Sequence, residues 1–175
     1  MNIIILGAGA VGSVFGAKLS EFNDVILVAR KGHADKINKD GLRIKGIENK
    51  KYRLKAVVSV DEIKANTLII LATKVHDSRS VIGPIRHLLK KDTIILCMQY
   101  GLGSENIVKK AVRSKCLVLR AVTNIGAVYL NPGIVEFNGH SYTAIEKSAK
   151  SAEIAENFTK CGFKSYVSDH INAEV

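Results

Sequence analysis

The sequence predicts an α/β fold: a doubly wound, mostly parallel sheet that carries an antiparallel edge. Three observations predict it. An apolar run of three isoleucines and a leucine at residues 3–6 leads directly into Gly7, Gly9 and Gly12. Apolar, strand-like runs then alternate with helical segments as far as residue 122, which is typical of parallel strands joined by crossover helices. Beyond that point short apolar runs are separated by turn signals instead of helices, which indicates antiparallel strands.

The first turn has the pattern of a phosphate-binding loop. The run before it is short, rich in Ile and closed by glycine, which favours a strand, and residues 10–20 have the spacing of a helix packed on a sheet. In such a turn Gly7 permits the tight bend, Gly9 lets the backbone approach a pyrophosphate, and Gly12 lets the helix lie close to the strand. Gly16 lies on the same helix face and allows the same close approach. Free N–H groups of the first helical turn then face the anion.

This turn is therefore expected to bind a dinucleotide. The alternative is that its glycines serve only the bend and the helix packing, since glycines also occur in ordinary turns. The expected cofactor-binding residues of the turn are Gly7, Ala8, Gly9, Ala10, Val11 and Gly12.

Arg30 decides which nucleotide the site is expected to prefer. It follows the second strand, residues 24–29, and lies 18 positions after Gly12. An NAD site usually has Asp or Glu about 20 residues past the glycines to bind the ribose 2′-OH, whereas Arg accommodates a 2′-phosphate. Asp24 begins that strand, roughly 17 Å from the crevice end at about 3.3 Å per residue. NADP(H) is therefore expected, with a solvated loop charge as the alternative role of Arg30.

The next stretch is predicted to form a short helix and a hairpin. Residues 32–41 have the polar pattern of a short helix that ends on its last glycine as the C-cap. Residues 42–47 and 52–60 alternate loosely around a polar turn, which predicts a hairpin outside the parallel sheet. Asp61 and Glu62 are expected to cap a brief helix after it.

The central sheet continues with an apolar strand at residues 67–72. In an open parallel sheet ligands lie beyond the carboxyl ends of the strands, so Lys74 is expected to meet substrate or cofactor. The alternative is a solvated lysine at the end of the sheet. A helix over 78–90, with Pro84 as a kink or break, leads to the next strand at 93–98.

The pattern changes in the second half of the chain. Ser104 is expected to cap a helix that reaches about residue 114, and residues 116–122 to form a further strand. Turn signals at 131–133 and 138–139 then separate short apolar runs, which predicts an antiparallel edge. These short strands are expected at residues 128–130, 134–137 and 142–145.

The last part of the chain returns to helix and strand. Ser151 is expected to cap a helix that ends at Gly162, and residues 163–167 to add one more strand. Residues 168–169 have the pattern of a cap for a helix that continues to Val175.

Composition limits the classes of function. The net charge is +10, which invites a nucleic-acid hypothesis, but the basic residues are spread along the chain without aromatic interleaving, as on solvated faces. Cys97, Cys116 and Cys161 are far apart and form no C-x-x-C, which argues against a disulfide framework or a metal site. No run approaches the ~20 apolar residues of a membrane span, and no basic leader precedes the first strand, so a cytoplasmic protein is expected.

With these motifs in place, the chain resembles the ketopantoate reductase (2-dehydropantoate 2-reductase) family over nearly all of its length. The matching motifs are I-L-G-A-G-A-V-G-S-V-F-G-A-K-L at 5–19, V-A-R at 28–30, T-K at 73–74, Q-Y-G-L-G at 99–103 and T-N-I-G-A at 123–127. The resemblance implies a Rossmann-type NADP(H)-binding domain over residues 1–167. Residues 168–175 would then be the truncated start of an interdomain helix, and the family's all-helical second domain would be absent.

The resemblance also implies roles for residues at the crevice. Lys74 corresponds to a lysine that contacts substrate or cofactor, and Gly101 belongs to a loop that lines the cofactor site. Tyr100 stands where the family usually has a substrate- or cofactor-binding Asn, and a phenol is bulkier and cannot donate as an amide does. Tyr100 is thus expected to bind substrate or to pack, and the substrate to be ketopantoate or another 2-oxo acid. The family's general-acid lysine would lie beyond Val175, so no catalytic residue is expected here.

The resulting expectation is the cofactor-binding half of an enzyme that reduces 2-dehydropantoate to pantoate with NADPH, in pantothenate and coenzyme A synthesis. One alternative is a nucleotide-sensing regulatory module without catalysis, against which Arg30 and Lys74 count. Another is a degenerate structural domain with no ligand. Partners other than the small 2-oxo acid, whether nucleic acid or membrane, are not expected. An apolar face left by the absent domain would favour a homodimer.

Overall fold

A computed structural model describes residues 1–101 and 103–174. Within them the strands are β1 (Asn2–Leu6), β2 (Asp24–Val28), β3 (Leu42–Gly46), β4 (Lys50–Tyr52), β5 (Lys55–Val57), β6 (Thr67–Leu71), β7 (Ile94–Cys97), β8 (Leu117–Asn131), β9 (Ile134–Glu146) and β10 (Ser165–Ser168). The helices are α1 (Ala10–Leu19), α2 (Lys31–Asp40), α3 (Ser78–Ile85), α4 (Ser104–Val112) and α5 (Ser151–Lys160), with 3-10 turns at Val75–Asp77, Arg86–Leu88 and Ile171–Ala173. Every helix described is too short or too polar to cross a bilayer.

The strands form one mixed sheet in the order β4-β3-β9-β8-β7-β6-β1-β2-β5, with β10 beside β9. The five strands from β2 to β8 through β1 are parallel neighbours, and β8 and β9 are antiparallel. From β1 the chain winds first to β2 on one side and later to β6 on the other. The doubly wound sheet with an antiparallel edge is therefore confirmed, and its winding reverses at the carboxyl end of β1, where open α/β sheets bind ligands.

Both faces of the parallel sheet are buried, as its nearly continuous apolar strands require. Because side chains alternate along a strand, Ile3 and Ile5 belong to one apolar cluster, and Ile4 and Leu6 to the other. The first cluster includes Phe15 of α1, and helices α3 and α4 supply apolar residues to the second. The sheet is thus a rigid three-layer core that fixes the loops at its carboxyl edge.

Close packing of α1 on the sheet depends on glycine, as predicted. A Cβ atom on Gly16 would lie 2.3 Å from Cδ2 of Leu27, and one on Gly12 would lie 2.4 Å from the carbonyl oxygen of Gly7. Real Cβ atoms do not approach so closely, so any larger side chain would push α1 away from the strands.

The predicted hairpin forms outside the five parallel strands, at the antiparallel edge of the same mixed sheet. Strands β3 and β4 are antiparallel, with Leu42 opposite Tyr52, while β3 also pairs in parallel with β9. The second predicted strand, 52–60, splits instead, and β5 pairs in parallel with β2 at the opposite edge. The side chain of Asn38 fixes β5 by bonding both backbone groups of Ala56. The single second strand was wrong because residues 52–60 contribute to two different edges of the sheet, each with unpaired backbone groups to satisfy.

Three local predictions are wrong in detail. Residues 58–66, which include Asp61 and Glu62, contain no helix. Ser104 and Ser151 are the first residues of α4 and α5, and neither helix has a side-chain cap. Gly103 takes the N-cap position of α4 in place of Ser104. Its left-handed backbone, at φ +78°, directs the chain into the helix without a side-chain cap. Helix α3 ends at Ile85 and tightens into a 3-10 turn, so the predicted break at Pro84 is confirmed.

The three short strands predicted after residue 127 belong to the two long strands β8 and β9. Asn138 and Gly139 do not form a turn. Gly126 pairs with Gly139 and Ala127 pairs with Phe137, so Asn138 is the extra residue of a β-bulge. The same residue types favour bulges and turns, and only pairing with a distant strand distinguishes them.

The end of the described chain differs from the expected helix. Ser168 is the last residue of β10, and a single 3-10 turn follows at Ile171–Ala173. Val175 lies outside the described residues. The domain boundary between residues 167 and 168 therefore stays a prediction. So does an interdomain helix that begins in this segment.

Candidate dinucleotide-binding site

The glycine turn lies where the winding of the sheet reverses, between β1 and α1. The N–H groups of Gly7 and Ala8 both donate to the carbonyl oxygen of Val28, at 3.2 and 2.9 Å, so the turn is tied to the end of β2. Gly7 has φ +103°, and a Cβ atom there would lie 2.4 Å from Cγ2 of Thr73. Backbone conformation and space both require glycine at this position.

Gly9 is exposed and has a different environment from Gly7. An added Cβ atom would meet no heavy atom within 4 Å, so this side of the turn faces open space. The absence of a side chain is therefore not needed for folding here. It leaves the backbone of the turn accessible to a ligand, which is the role that the motif predicts for this glycine.

The first turn of α1 offers backbone donors to that open space. The N–H group of Ser13 donates to the carbonyl oxygen of Gly9, at 3.0 Å, and is the first of the helix to find a backbone acceptor among the described residues. The N–H groups of Ala10, Val11 and Gly12 precede it. No acidic residue lies in this turn to oppose an anion. These donors and the helix dipole suit a phosphate group.

A buried polar relay supports the turn from behind. The Ser13 hydroxyl lies 3.3 Å from the carbonyl oxygen of Ala8 and 3.1 Å from Nε2 of His33. Nδ1 of His33 accepts from the N–H group of Gly133, at 2.9 Å, so Nε2 carries the proton and donates to Ser13, which donates to Ala8. The relay links α2 to the glycine turn. Its members are up to 100 residues apart, so no local sequence pattern indicates it.

Acid is expected to weaken this relay. Burial lowers the pKa of His33 below its ordinary value of 6.5, so the unfolded chain binds the proton more readily than the folded chain. The free energy of unfolding should therefore fall as the pH drops below about 6.5, and His33 alone contributes at most about 1.4 kcal/mol per pH unit to this slope. Denaturant unfolding at pH values from about 5 to about 8, a range that brackets the ordinary pKa of histidine, measures this slope.

The control uses a second buried histidine. Burial also lowers the pKa of His140, so this residue adds to the same slope. His33→Gln should remove part of the slope and His140→Gln another part. A slope that His33→Gln leaves unchanged would show that the relay does not titrate.

Arg30 lies on the β2 side of the glycine turn. Arg30 is exposed, follows β2 and directly precedes α2. Its carbonyl oxygen accepts hydrogen bonds from the N–H groups of His33 and Ala34 in the first turn of that helix. Among the described residues no ion pair involves its guanidinium, whereas the neighbouring Lys31 pairs with Asp35 at 2.7 Å. Asp24 pairs with Lys64 at the other end of β2. The structure thus leaves one unpaired arginine beside the turn.

Lys74 lies on the opposite side of the turn, beyond the carboxyl end of β6, and its side chain is exposed. Buried Gln99, two residues after β7, fixes this loop because its Nε2 atom lies 3.0 Å from the carbonyl oxygen of Thr73 and 3.1 Å from that of Lys74. The same nitrogen is 3.0 Å from the Ser78 hydroxyl. Gln99 was not among the predicted site residues, although a glutamine just after an apolar strand indicates a specific polar contact.

Tyr100 and Gly101 follow on the same side. The Tyr100 side chain is 69% exposed, so packing against the described residues does not explain it. Gly101 has φ +102°, and its carbonyl oxygen accepts from Nη2 of buried Arg120 at 2.9 Å. Leu102 of the motif lies outside the described residues.

The buried cysteines and His140 have no role in this crevice. Cys97 and Cys161 are buried, and burial raises the pKa of the Cys97 thiol to about 12. His140 packs edge-on against Phe15 and Phe163. Within the described part of the chain no three His, Cys, Asp or Glu residues come together in a way that could hold a metal ion.

Comparison with known proteins gives one family. A model of ketopantoate reductase PanE/ApbA matches residues 3–150. The 2-dehydropantoate 2-reductase of Pyrococcus horikoshii is 35% identical over 177 aligned residues, covering 98% of this chain and 57% of that protein. The Pyrococcus abyssi protein of the same name is 33% identical with the same coverage. This chain thus spans 57% of the length of these relatives.

Solved structures are similar over the whole described fold. A PanE/ApbA family ketopantoate reductase from Ralstonia eutropha has a TM-score of 0.88 at 27% identity, covering 97% of this chain and 57% of that one. The ternary structure of D-mandelate dehydrogenase with NADH and anilino(oxo)acetate has a TM-score of 0.87 at 30% identity, covering 99% and 59%.

Proposed function

The chain belongs to the ketopantoate reductase family, and we propose that it supplies the NADP(H)-binding half of an oxidoreductase that reduces a 2-oxo acid. The observation that carries this proposal is an open glycine turn with free N–H groups beside an unpaired arginine. Gly9 leaves the room that a pyrophosphate needs, and the first turn of α1 supplies donors for it. The residues present therefore fit a dinucleotide.

The proposal divides the site between two sides of the turn. On the β2 side, Arg30 binds the 2′-phosphate, for which a guanidinium is a better partner than for a ribose hydroxyl. A related structure of D-mandelate dehydrogenase holds NADH, so the preference for NADP(H) rests on Arg30 of this chain and not on the family. Bound NADPH supplies the hydride.

On the β6 side, Lys74 and Tyr100 face the substrate. The names of the relatives indicate 2-dehydropantoate and D-mandelate, which both react at the carbon next to a carboxylate. An exposed ammonium group at Lys74 suits such an anion, and Gln99 holds its backbone in place. We propose ketopantoate or another 2-oxo acid as substrate, because Tyr100 stands where the family usually has an amide.

Binding without turnover is the expected behaviour of residues 1–175, since Lys74 and Tyr100 are proposed only to bind the substrate and the general acid is proposed to be a lysine outside these residues. Hydride transfer needs nicotinamide, carbonyl and acid held together, an arrangement that can lower a barrier by ~7 to 11 kcal/mol. The test is a fluorescence titration with NADPH, followed by addition of ketopantoate. Saturable binding without NADPH oxidation supports the proposal. Absence of binding would refute the cofactor site, and turnover by this chain alone would refute its role as one half of the enzyme.

A further inference from the structure

We propose that Arg120 is a positioning residue for the nicotinamide end of the site, acting through the loop that carries Tyr100. This inference rests on the proposed function. Arg120 is only 1% exposed and lies in β8. Its pairing with Cys97, the last residue of β7, places it directly below the carboxyl edge of the parallel sheet.

The guanidinium reaches three different segments of the chain. Nη2 donates to the carbonyl oxygen of Gly101 at 2.9 Å, and Nη1 donates to Oδ1 of Asn172 at 3.3 Å. Nη1 also lies 3.7 Å from Oε2 of Glu105, near the start of α4. The loop at Gly101, helix α4 and the 3-10 turn Ile171–Ala173 therefore meet at a single side chain.

Stability alone does not explain a charge at this position. Burying a guanidinium is costly unless all of its donors are paired, and buried ion pairs are often no more stable than apolar residues of similar size. Among the described residues, Nε of Arg120 and Oε2 of Glu105 have no hydrogen-bond partner. What an apolar residue could not provide is the directed hydrogen bond to the Gly101 carbonyl.

That bond matters because of where the loop lies. With Arg30 and the adenosine end on the β2 side of the turn, the other end of the dinucleotide extends over β6 and β7, since the winding reverses at β1. The side chain of Gln99, the residue before Tyr100, is anchored to the carbonyl oxygen of Lys74, and Arg120 holds the carbonyl oxygen of Gly101 after it. Together they fix the direction in which Tyr100 leaves the sheet.

The test compares two ligands that differ only at the nicotinamide end. Arg120→Lys keeps the charge but loses the fork that reaches Gly101 and Asn172 together. NADPH binding to residues 1–175 should weaken about tenfold, while binding of 2′-phospho-ADP-ribose should change by less than about twofold. A purely structural role would weaken both ligands equally.

Two further variants keep the inference falsifiable. Arg120→Gln removes the buried charge but retains a donor, and it replaces Arg120→Lys if thermal melting shows that the lysine variant does not fold. Asn172→Ala removes one contact and leaves the Gly101 bond, so it should keep NADPH affinity within about threefold. Equal losses for both ligands, or none, would overturn the inference. Failure of the unsubstituted chain to bind either ligand would instead refute the proposed function.

Discussion

Gly9→Asp is expected to abolish dinucleotide binding while leaving the fold intact. The added side chain meets no heavy atom within 4 Å, and the backbone of Gly9 is extended with a negative φ of −80°, which does not require glycine. Asp is also a favoured N-cap, so α1 should be as stable as before or slightly more stable. Its carboxylate would, however, occupy the space in front of the free N–H groups and repel a pyrophosphate. NADPH affinity should fall by about a hundredfold or more.

The measurement is a fluorescence titration paired with a thermal melt. Ser114→Asp is the matched control, because it adds the same charge at an exposed position. Ser114 lies just before β8, at the amino ends of the parallel strands, whereas the glycine turn lies at their carboxyl ends. Its backbone at φ +60° is one that Asp tolerates. The control should bind NADPH normally. Retained affinity in Gly9→Asp would place the ligand elsewhere, and a large drop in Tm would mean that Gly9 serves folding instead.

Arg30→Ala is expected to erase the preference for NADPH over NADH. Loss of a charge-assisted contact with the 2′-phosphate should weaken NADPH binding by about 30-fold and leave NADH binding unchanged. The exposed side chain of Arg30 has no ion pair among the described residues, so stability should not change. Titrations with both coenzymes measure the effect.

The control for this charge is Lys64→Ala, which removes one positive charge at the other end of β2, where Lys64 pairs with Asp24 at 2.8 Å. It should leave both affinities unchanged. If the unsubstituted chain binds both coenzymes equally, or if Arg30→Ala retains the preference, then Arg30 does not bind the 2′-phosphate.

The parts of the fold that the sequence predicts are those that depend on neighbours in the chain. The run into Gly7, Gly9 and Gly12 identifies β1, the bend and α1 together, because each requirement acts within a few residues. The parallel strands are likewise apolar enough to be found individually. Their order was not predicted, because β6 comes after β2 in the chain but pairs with β1 on its other side.

Contacts between distant residues were not predictable in the same way. Strand β3 joins the sheet through β9, about ninety residues later, and no local pattern indicates that partner. The relay from Gly133 through His33 to Ser13, and the contacts of Gln99 and Arg120, likewise join separate loops. Each of these side chains is polar and buried in the fold, yet burial becomes visible only when the sheet is assembled.

An amide NMR titration of residues 1–175 with NADPH tests the central claim most directly, since it reports on every backbone N–H group. The claim is that the glycine turn binds the pyrophosphate and Arg30 the 2′-phosphate. The largest shifts are expected at Ala10, Val11 and Gly12 and at the start of α2, with those at α2 much smaller for NADH. Saturable binding that leaves these amides unshifted would contradict it.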